Sequence, residues 1–252
     1  MASVERALTK SLLSNLSEES VRLRRQDVLS TPNPIRRAAV LALHNLAVRQ
    51  PRLVAHMLGL PYAEHGFEYV GSGVDSTVLR VDETEVLKVN RKSADSNASE
   101  RRQLVDSQQA NHAKLVAALG PFVVPHTATR VGQHPVVSSF EIVEIRQPYV
   151  EVFDPRFLYP ASTEAIAEKI SSLEAQAIPV ADQLGEYIER SRSLFQHHQL
   201  LPDVIGPANL VLVDGTNLQQ IDGVPVSSEH PETQAAIGGY LNMMETAIGL
   251  AA

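Results

Sequence analysis

The sequence predicts an α+β fold in which strand segments come first and helical segments dominate the second half. Short apolar runs rich in valine and threonine predict strands within residues 66–89 and over residues 123–131 and 136–143, with turn residues between them. Residues 96–119 are rich in alanine, glutamine, arginine and leucine and stop at Gly120-Pro121, which indicates one long helix. The pattern therefore predicts a five-stranded antiparallel sheet crossed by one helix, followed by a mainly helical region.

Composition excludes several classes of protein. The chain has 252 residues, of which 44% are hydrophobic, so it can bury a sizeable core. It contains no cysteine, which excludes a disulfide framework and a thiolate metal site. No apolar run approaches the roughly 18 to 20 residues that a membrane span needs, and charges near the N-terminus disfavour a signal peptide. We therefore expect a cytoplasmic protein without a membrane span.

Residues 1–60 are predicted to form a helical extension ahead of the main domain. Apolar residues recur at three- and four-residue spacing over residues 3–16 and 33–49, as in amphipathic helices. The extension carries a net charge of +5, whereas the rest of the chain carries −12. A solvated helix face is the favoured interpretation, and contact with the acidic body or an acidic partner is the alternative. Nucleic acid is not expected as a partner, because no aromatic residues are interleaved with the arginines.

A glycine-rich turn lies between the first two predicted strands. Gly71, Gly73 and Ser76 stand as G-x-G-x-x-S, where small residues let a backbone bend over a polyphosphate, although a plain hairpin turn gives the same spacing. A dinucleotide-binding fingerprint is disfavoured because a strand, not a helix, follows. Lys88 lies in the third strand between two apolar residues, so we expect its side chain on the opposite face, under the glycine turn.

Three oxygen-bearing side chains are gathered around a short hairpin later in the chain. Asp203 and Asn209 precede the apolar run 210–213, residues 214–217 supply turn chemistry, and the second run leads into Asp222. A hard cation such as Mg²⁺ takes oxygen ligands, usually one or two carboxylates together with substrate phosphates. Asn209 and Asp222 are therefore candidate metal ligands, and Asp203 is a candidate base.

These residues resemble the protein-kinase-like superfamily, in particular its reduced bacterial and aminoglycoside-phosphotransferase-like members. The family pattern is an aspartate, four residues, an asparagine, two strands and then Asp-Phe-Gly. Here Gly206-Pro207-Ala208-Asn209 ends the loop, and Ile221-Asp222-Gly223 supplies the second acid. The chain departs from the family because five residues separate Asp203 from Asn209, no His or Tyr stands ahead of Asp203, and glycine follows Asp222 directly. The likeness covers residues 66–226.

The resemblance implies a two-lobed fold with a small lobe over residues 61–149 and a reduced helical large lobe over residues 150–252. It implies an ATP- and Mg²⁺-dependent phosphotransferase that acts on an unidentified hydroxyl acceptor. The alternative is a pseudokinase, acting as a nucleotide-binding or partner-binding module. The implied roles are phosphate binding for Gly71, Gly73, Ser76 and Lys88, adenine binding at the hinge for Gln147 and Tyr149, metal binding for Asn209 and Asp222, and catalysis for Asp203.

In kinase-like proteins a carboxylate on this helix pairs with the strand lysine. The sequence of this chain leaves open which residue would supply that carboxylate. Counting forward from Lys88 indicates Glu100 or Asp106, whereas counting back from the next strand indicates the region of Gln109 and His112, where there is no carboxylate. For His112 we expect a structural, hydrogen-bonded side chain.

Overall fold

The computed structural model describes residues 46, 68–72, 76–90, 93, 96–133, 141–152, 162–205 and 209–251. The predicted N-terminal extension, apart from Leu46, lies outside these residues. The elements in chain order are β1 (Glu68–Ser72), β2 (Ser76–Arg80), β3 (Glu85–Asn90), α1 (Ala98–Leu119), a 3₁₀ turn (Gly120–Phe122), β4 (Ala128–Gln133), β5 (Glu141–Pro148), α2 (Thr163–Glu174), α3 (Val180–His198), β6 (Leu200–Leu201), β7 (Leu210–Val213), β8 (Asn217–Gln220), β9 (Val226–Ser227) and α4 (Pro231–Ala251).

The first strands form a sheet of five, in the order β1-β2-β3-β5-β4. The pairs β1–β2, β2–β3 and β4–β5 are antiparallel, so the α+β class and the antiparallel pairing are confirmed. Side chains of Leu79, Leu87, Val89 and Ile142 form a buried cluster on this sheet. The hydroxyl of the buried Ser93 accepts a hydrogen bond from the Val143 amide at 2.7 Å, which ties the segment after β3 to β5.

The strand predicted at residues 123–131 begins only at Ala128. Residues 120–122 instead form the 3₁₀ turn, and Val123 makes an isolated parallel bridge with Gln220. The amide of Val124 donates to the carbonyl of Gln220 at 3.1 Å. Pro125 follows without an amide hydrogen, so the apolar run cannot continue as a fully paired strand.

Helix α1 begins with a reciprocal pair of side-chain caps. The Asn97 Oδ1 atom accepts hydrogen bonds from the amides of Ser99 and Glu100, at 2.9 and 3.0 Å, and Glu100 Oε2 accepts one from the amide of Asn97 at 2.9 Å. This capping box satisfies amides that a helix start leaves without partners. The buried positions of α1 recur at helical spacing and are Arg101, Gln108, His112, Leu115 and Leu119.

The described residues divide into two compact units. The first comprises those up to Asp106 together with Thr127–Gln147, and the second comprises Ser107–His126 together with those from Pro148 onward. In the second unit, α2, α3 and α4 pack around a core with the hairpin β7–β8. The hairpin turn has positive φ at Asp214 (53°) and Gly215 (71°), which is the type I′ geometry that Asp-Gly favours. No helix in the described part of the chain is long and apolar enough to cross a membrane.

Candidate functional site

The hairpin β7–β8 brings Asn209 and Asp222 to the same end of the second unit. Leu210 pairs with Gln220, and the amide of Ile221 donates to the carbonyl of Asn209 at 2.9 Å, which extends the pairing by one step beyond the two strands. Asn209 and Ile221 therefore lie side by side, and Asp222 follows directly. The predicted hairpin is confirmed, and its open end is where both candidate metal ligands lie.

The side chain of Asn209 closes the loop that begins at Asp203. Its Nδ2 atom donates to the carbonyl of Asp203 at 3.1 Å and to that of Ile205 at 3.4 Å. Among the described residues, no hydrogen bond involves its Oδ1 atom, so this oxygen can accept a ligand. The amide nitrogen thus holds the two ends of this loop together.

A buried glutamine joins the Asp203 loop to the Asp222 loop. Gln220 is 0% exposed, and its Nε2 atom donates to the carbonyl of Asp222 at 2.7 Å and to that of Asp203 at 3.4 Å. Its Oε1 atom accepts a hydrogen bond from the hydroxyl of the buried Tyr187 at 2.9 Å. The sequence prediction missed Gln220. The available signal was a polar residue at an inward-facing position of a strand, since Leu218 and Gln220 share the buried face of β8.

Two stacked histidines support the residue after Asp222. The ring centroids of His112 and His126 are 3.5 Å apart, with an interplanar angle of 3°. His112 Nε2 accepts from the amide of His126 at 2.9 Å, so its Nδ1 carries the proton and donates to the carbonyl of Gly223, also at 2.9 Å. A Cβ atom on Gly223 would lie 2.5 Å from His126 Nε2 and 2.8 Å from His112 Nδ1. Glycine is therefore required there, and the structural role expected for His112 is confirmed.

The two carboxylates of the site each contact the amide two residues further along the chain. Asp203 Oδ1 accepts from Ile205 at 3.0 Å, and Asp222 Oδ1 accepts a longer bond from Val224 at 3.4 Å. Both aspartates are partly exposed. The Asp203 carboxylate therefore already stabilises its own loop, whether or not it also acts as a base.

Lys88 lies in the first unit, in β3, opposite Val78 of β2. It is only 7% exposed, and its neighbours from Val86 to Val89 are all buried. Side chains on both faces of β3 are therefore buried, as its place between β2 and β5 in the sheet explains. A lysine buried to this degree needs a charged or polar partner.

The residues of the predicted glycine turn are partly described. Gly71 lies in β1 next to an irregularity in its pairing with β2, between Tyr69 and Gly71. Ser76 is the first residue of β2 and pairs with Asn90. Gly73 lies outside the described residues. The two ends of the turn thus belong to paired strands, as the hairpin interpretation requires.

The predicted hinge residues fall on either side of the division between the two units. Gln147 ends the first unit within β5, and Tyr149 follows the strand as part of the second. Gln147 is 1% exposed, and its Oε1 atom has no hydrogen-bond partner among the described residues. A buried acceptor in this state is rare in native proteins and commonly marks the place of a water molecule or ligand.

The residues considered as partners of Lys88 have different surroundings on α1. Glu100 belongs to the capping box, and Asp106 and Gln109 are exposed. Gln108, one position away, is 8% exposed, and its Oε1 atom has no hydrogen-bond partner among the described residues. Three of the positions that the sequence indicated, Glu100, Asp106 and Gln109, thus lie at exposed places on the helix.

The hairpin site offers oxygen atoms, which are the kind of ligand that Mg²⁺ takes. Among the described residues, no group of three or more His, Asp or Glu side chains is placed to hold a metal ion. A site with one carboxylate and one amide oxygen fits Mg²⁺, which usually keeps several waters and takes its other ligands from a bound phosphate. Asp222 and Asn209 are the residues that would hold it.

Comparison with known proteins gives no family assignment. The sequence matches no family model, and no curated protein shows significant similarity to it. The kinase-like resemblance therefore rests on the residues of the sequence alone.

Proposed function

We propose that this protein is an ATP- and Mg²⁺-dependent phosphotransferase of the protein-kinase-like superfamily, with two lobes, which transfers the γ-phosphoryl group to a hydroxyl acceptor. The observation that carries the proposal is a hydrogen-bond network in which the buried Gln220 joins the backbones of Asp203 and Asp222, and Asn209 joins the same Asp203 carbonyl. The backbone of both aspartates is bonded to Gln220, and the side chain of Asn209 is bonded to the backbone of Asp203. The proposed base and the two proposed metal ligands thus lie in a single unit.

The proposed reaction needs positioning and charge neutralisation rather than covalent chemistry. The carboxylate of Asp203 takes the proton of the acceptor hydroxyl, whose oxygen forms a bond to the γ-phosphorus. The bond from that phosphorus to the oxygen shared with the β-phosphate breaks, and ADP leaves. Asn209 and Asp222 would hold Mg²⁺, which would supply positive charge to the phosphates. From the resemblance, Lys88, Gly71, Gly73 and Ser76 contact the phosphates.

A second candidate function is a pseudokinase module that binds nucleotide or a partner without transferring phosphate. The observation in its favour is the hydrogen bond from the amide of Ile205 to Asp203 Oδ1, which gives this carboxylate a structural use. The Asp203→Ala variant separates the two functions. A phosphotransferase loses turnover and keeps nucleotide binding, whereas unchanged turnover would exclude Asp203 as the base.

Thermal unfolding with ATP plus Mg²⁺, ATP plus EDTA, and no ligand tests the nucleotide site first. Binding to the native state alone at 100 times the dissociation constant adds about 2.7 kcal/mol of stability. We expect a Mg²⁺-dependent rise in the wild type that Lys88→Met loses, since methionine keeps the apolar stem and removes the charge. The control is Lys114→Ala, which removes a charge from an exposed position of α1. A wild type without a ligand-dependent shift would refute the proposal.

A further inference from the structure

We propose that Gln220 is a positioning residue of the phosphotransfer site and that Tyr187 holds its amide in place. The inference rests on the proposed function. Neither side chain belongs to the residues that would touch ATP or Mg²⁺. Their role is to fix the loop of the metal ligand Asp222 against the loop of the base Asp203.

The orientation of the Gln220 amide follows from its partners. Carbonyl oxygens can only accept, so the end that faces the carbonyls of Asp222 and Asp203 must be the nitrogen. The other end is then an oxygen, and it receives the hydroxyl hydrogen of Tyr187 at 2.9 Å. A rotation of the amide by half a turn would set its oxygen against two carbonyl oxygens. The two carbonyls therefore fix the orientation, and the Tyr187 hydroxyl satisfies the buried oxygen at the other end of the amide.

Tyr187 is suited to this task because it keeps its proton. Burial raises the pKa of its phenol well above the usual 10.0, and the negative charge of Asp203 raises it further, against an opposing contribution from Ser191. The hydroxyl is therefore a permanent donor over the ordinary pH range. Since both side chains are fully buried, water cannot replace the hydrogen bonds between them.

The carbonyl of Asp203 connects this arrangement to the second metal ligand. It accepts from Gln220 Nε2 and also from Asn209 Nδ2, at 3.4 and 3.1 Å. A displacement of Gln220 would therefore move Asp222 directly. It would move Asn209 through the Asp203 carbonyl oxygen, which both side chains contact. This predicts that loss of the Gln220 amide changes the affinity for Mg²⁺ more than it changes the fold.

The chain offers a matched control in a second glutamine that holds the same hairpin at its other end. Gln183 Nε2 donates to the carbonyl of Thr216 at 2.9 Å, and its Oε1 atom accepts from the amide of Leu218 at 2.7 Å. Gln183→Met removes these two hydrogen bonds near the turn. In the same way, Gln220→Met removes the hydrogen bonds to the carbonyls of Asp203 and Asp222 at the site. The two variants differ mainly in which end of the hairpin they loosen.

The first measurement is the Mg²⁺ concentration that half-saturates the stabilisation by ATP. We expect Gln220→Met to raise it about tenfold, the effect of losing roughly 1.4 kcal/mol of ligand positioning. Tyr187→Phe should raise it by a smaller factor, and Gln183→Met should leave it unchanged. If Gln220→Met matches the wild type while the wild type binds Mg²⁺ and ATP, the positioning role is refuted and the proposed function stands.

Amide hydrogen exchange without ligand provides the second, independent measurement. Gln220→Met should accelerate exchange at residues 203–205 and 221–224 together, whereas Gln183→Met should do so only near residues 216–218. Unchanged exchange at both loops in Gln220→Met would overturn the inference whatever the ligand data show. If ATP and Mg²⁺ do not stabilise the wild type, the proposed function is refuted, and the role of Gln220 in metal positioning is refuted with it.

Discussion

Replacement of Gly223 by alanine tests the packing beneath the candidate metal ligand. The added Cβ would lie 2.5 Å from His126 Nε2, 2.8 Å from His112 Nδ1 and 2.8 Å from His112 Cε1, all below the 3.0 Å at which a neighbour must shift. Gly223 is not among the residues with positive φ, so alanine meets no backbone penalty there. The cost is therefore steric and falls on the two stacked rings.

The rings have little freedom to move away. His112 is held at both nitrogens, by the amide of His126 and the carbonyl of Gly223, and the rings are already in contact at 3.5 Å. Overpacking a core costs about 1 to 3 kcal/mol, and the loss of one hydrogen bond adds about 0.5 to 1.5 kcal/mol. We expect Gly223→Ala to lower the free energy of unfolding by about 2 to 4 kcal/mol.

Urea unfolding measures this difference, and Gly238→Ala is the control. Gly238 lies within α4, and a Cβ added there meets no atom within 4 Å. Alanine in a helix interior is favoured over glycine by about 0.5 to 1 kcal/mol, so this variant should be more stable than the wild type. The two glycine-to-alanine changes are thus expected to have opposite signs. A Gly223→Ala protein as stable as the wild type would show that the histidine pair does not constrain the Asp222 loop.

Three further outcomes are expected. Ser93→Ala should cost about 1 to 3 kcal/mol in urea unfolding, because it leaves the amide of Val143 in the sheet without its acceptor; a cost below 0.5 kcal/mol would contradict this. Gln108→Leu should be neutral or stabilising in the same assay, since it removes a buried amide whose Oε1 atom has no hydrogen-bond partner among the described residues; a loss of stability would show that the amide is satisfied. The raised pKa of Tyr187 means that the unfolded chain releases this proton first, so stability falls as the pH rises above 10.0. A pH series of unfolding midpoints should show a shallower fall for Tyr187→Phe, and identical slopes would refute the assignment.

Local signals in the sequence were sufficient for the hairpin and for the fold class. The Asp214-Gly215 turn and its flanking apolar runs fix β7 and β8 through backbone preferences that act within a few residues. The start of β4 was predicted too early, because the apolar run from Val123 pairs with Gln220, about a hundred residues away, rather than with its neighbour in sequence. An apolar pattern that repeats every two residues identifies an extended segment, but it does not identify the strand with which that segment pairs.

The sequence alone could not identify the residues that hold the site together, because their partners also lie far away in the chain. Gln220 is polar at an inward position of β8, which signals a buried hydrogen bond but not its partner. Tyr187, 33 residues earlier on α3, becomes that partner only when the helix packs on the hairpin. The role of Gly223 depends on two histidines, His112 on α1 and His126 beyond it. A motif predicts candidate residues, whereas the contacts that support them arise from tertiary packing.

The additional residue between Asp203 and Asn209 can now be weighed in physical terms. One extra residue can displace a carboxylate by about 3 Å along the chain, which exceeds the tolerance of a hydrogen bond. The direct bond from Asn209 to the carbonyl of Asp203, at 3.1 Å, shows that the two ends of the loop stay together despite its length.

This geometry makes Asp203→Ala a clean test of catalysis. The variant removes the carboxylate and its bond to Ile205, but it keeps the backbone carbonyl on which Asn209 and Gln220 converge. The Mg²⁺-dependent stabilisation by ATP should therefore remain within about threefold of the wild type, since no metal ligand is lost, while phosphotransfer falls by a factor of about 10² to 10⁴, as expected for loss of a general base. Equal loss of binding and turnover would mean that the carboxylate acts on the metal site, and the assignment of Asp203 as the base would have to be abandoned.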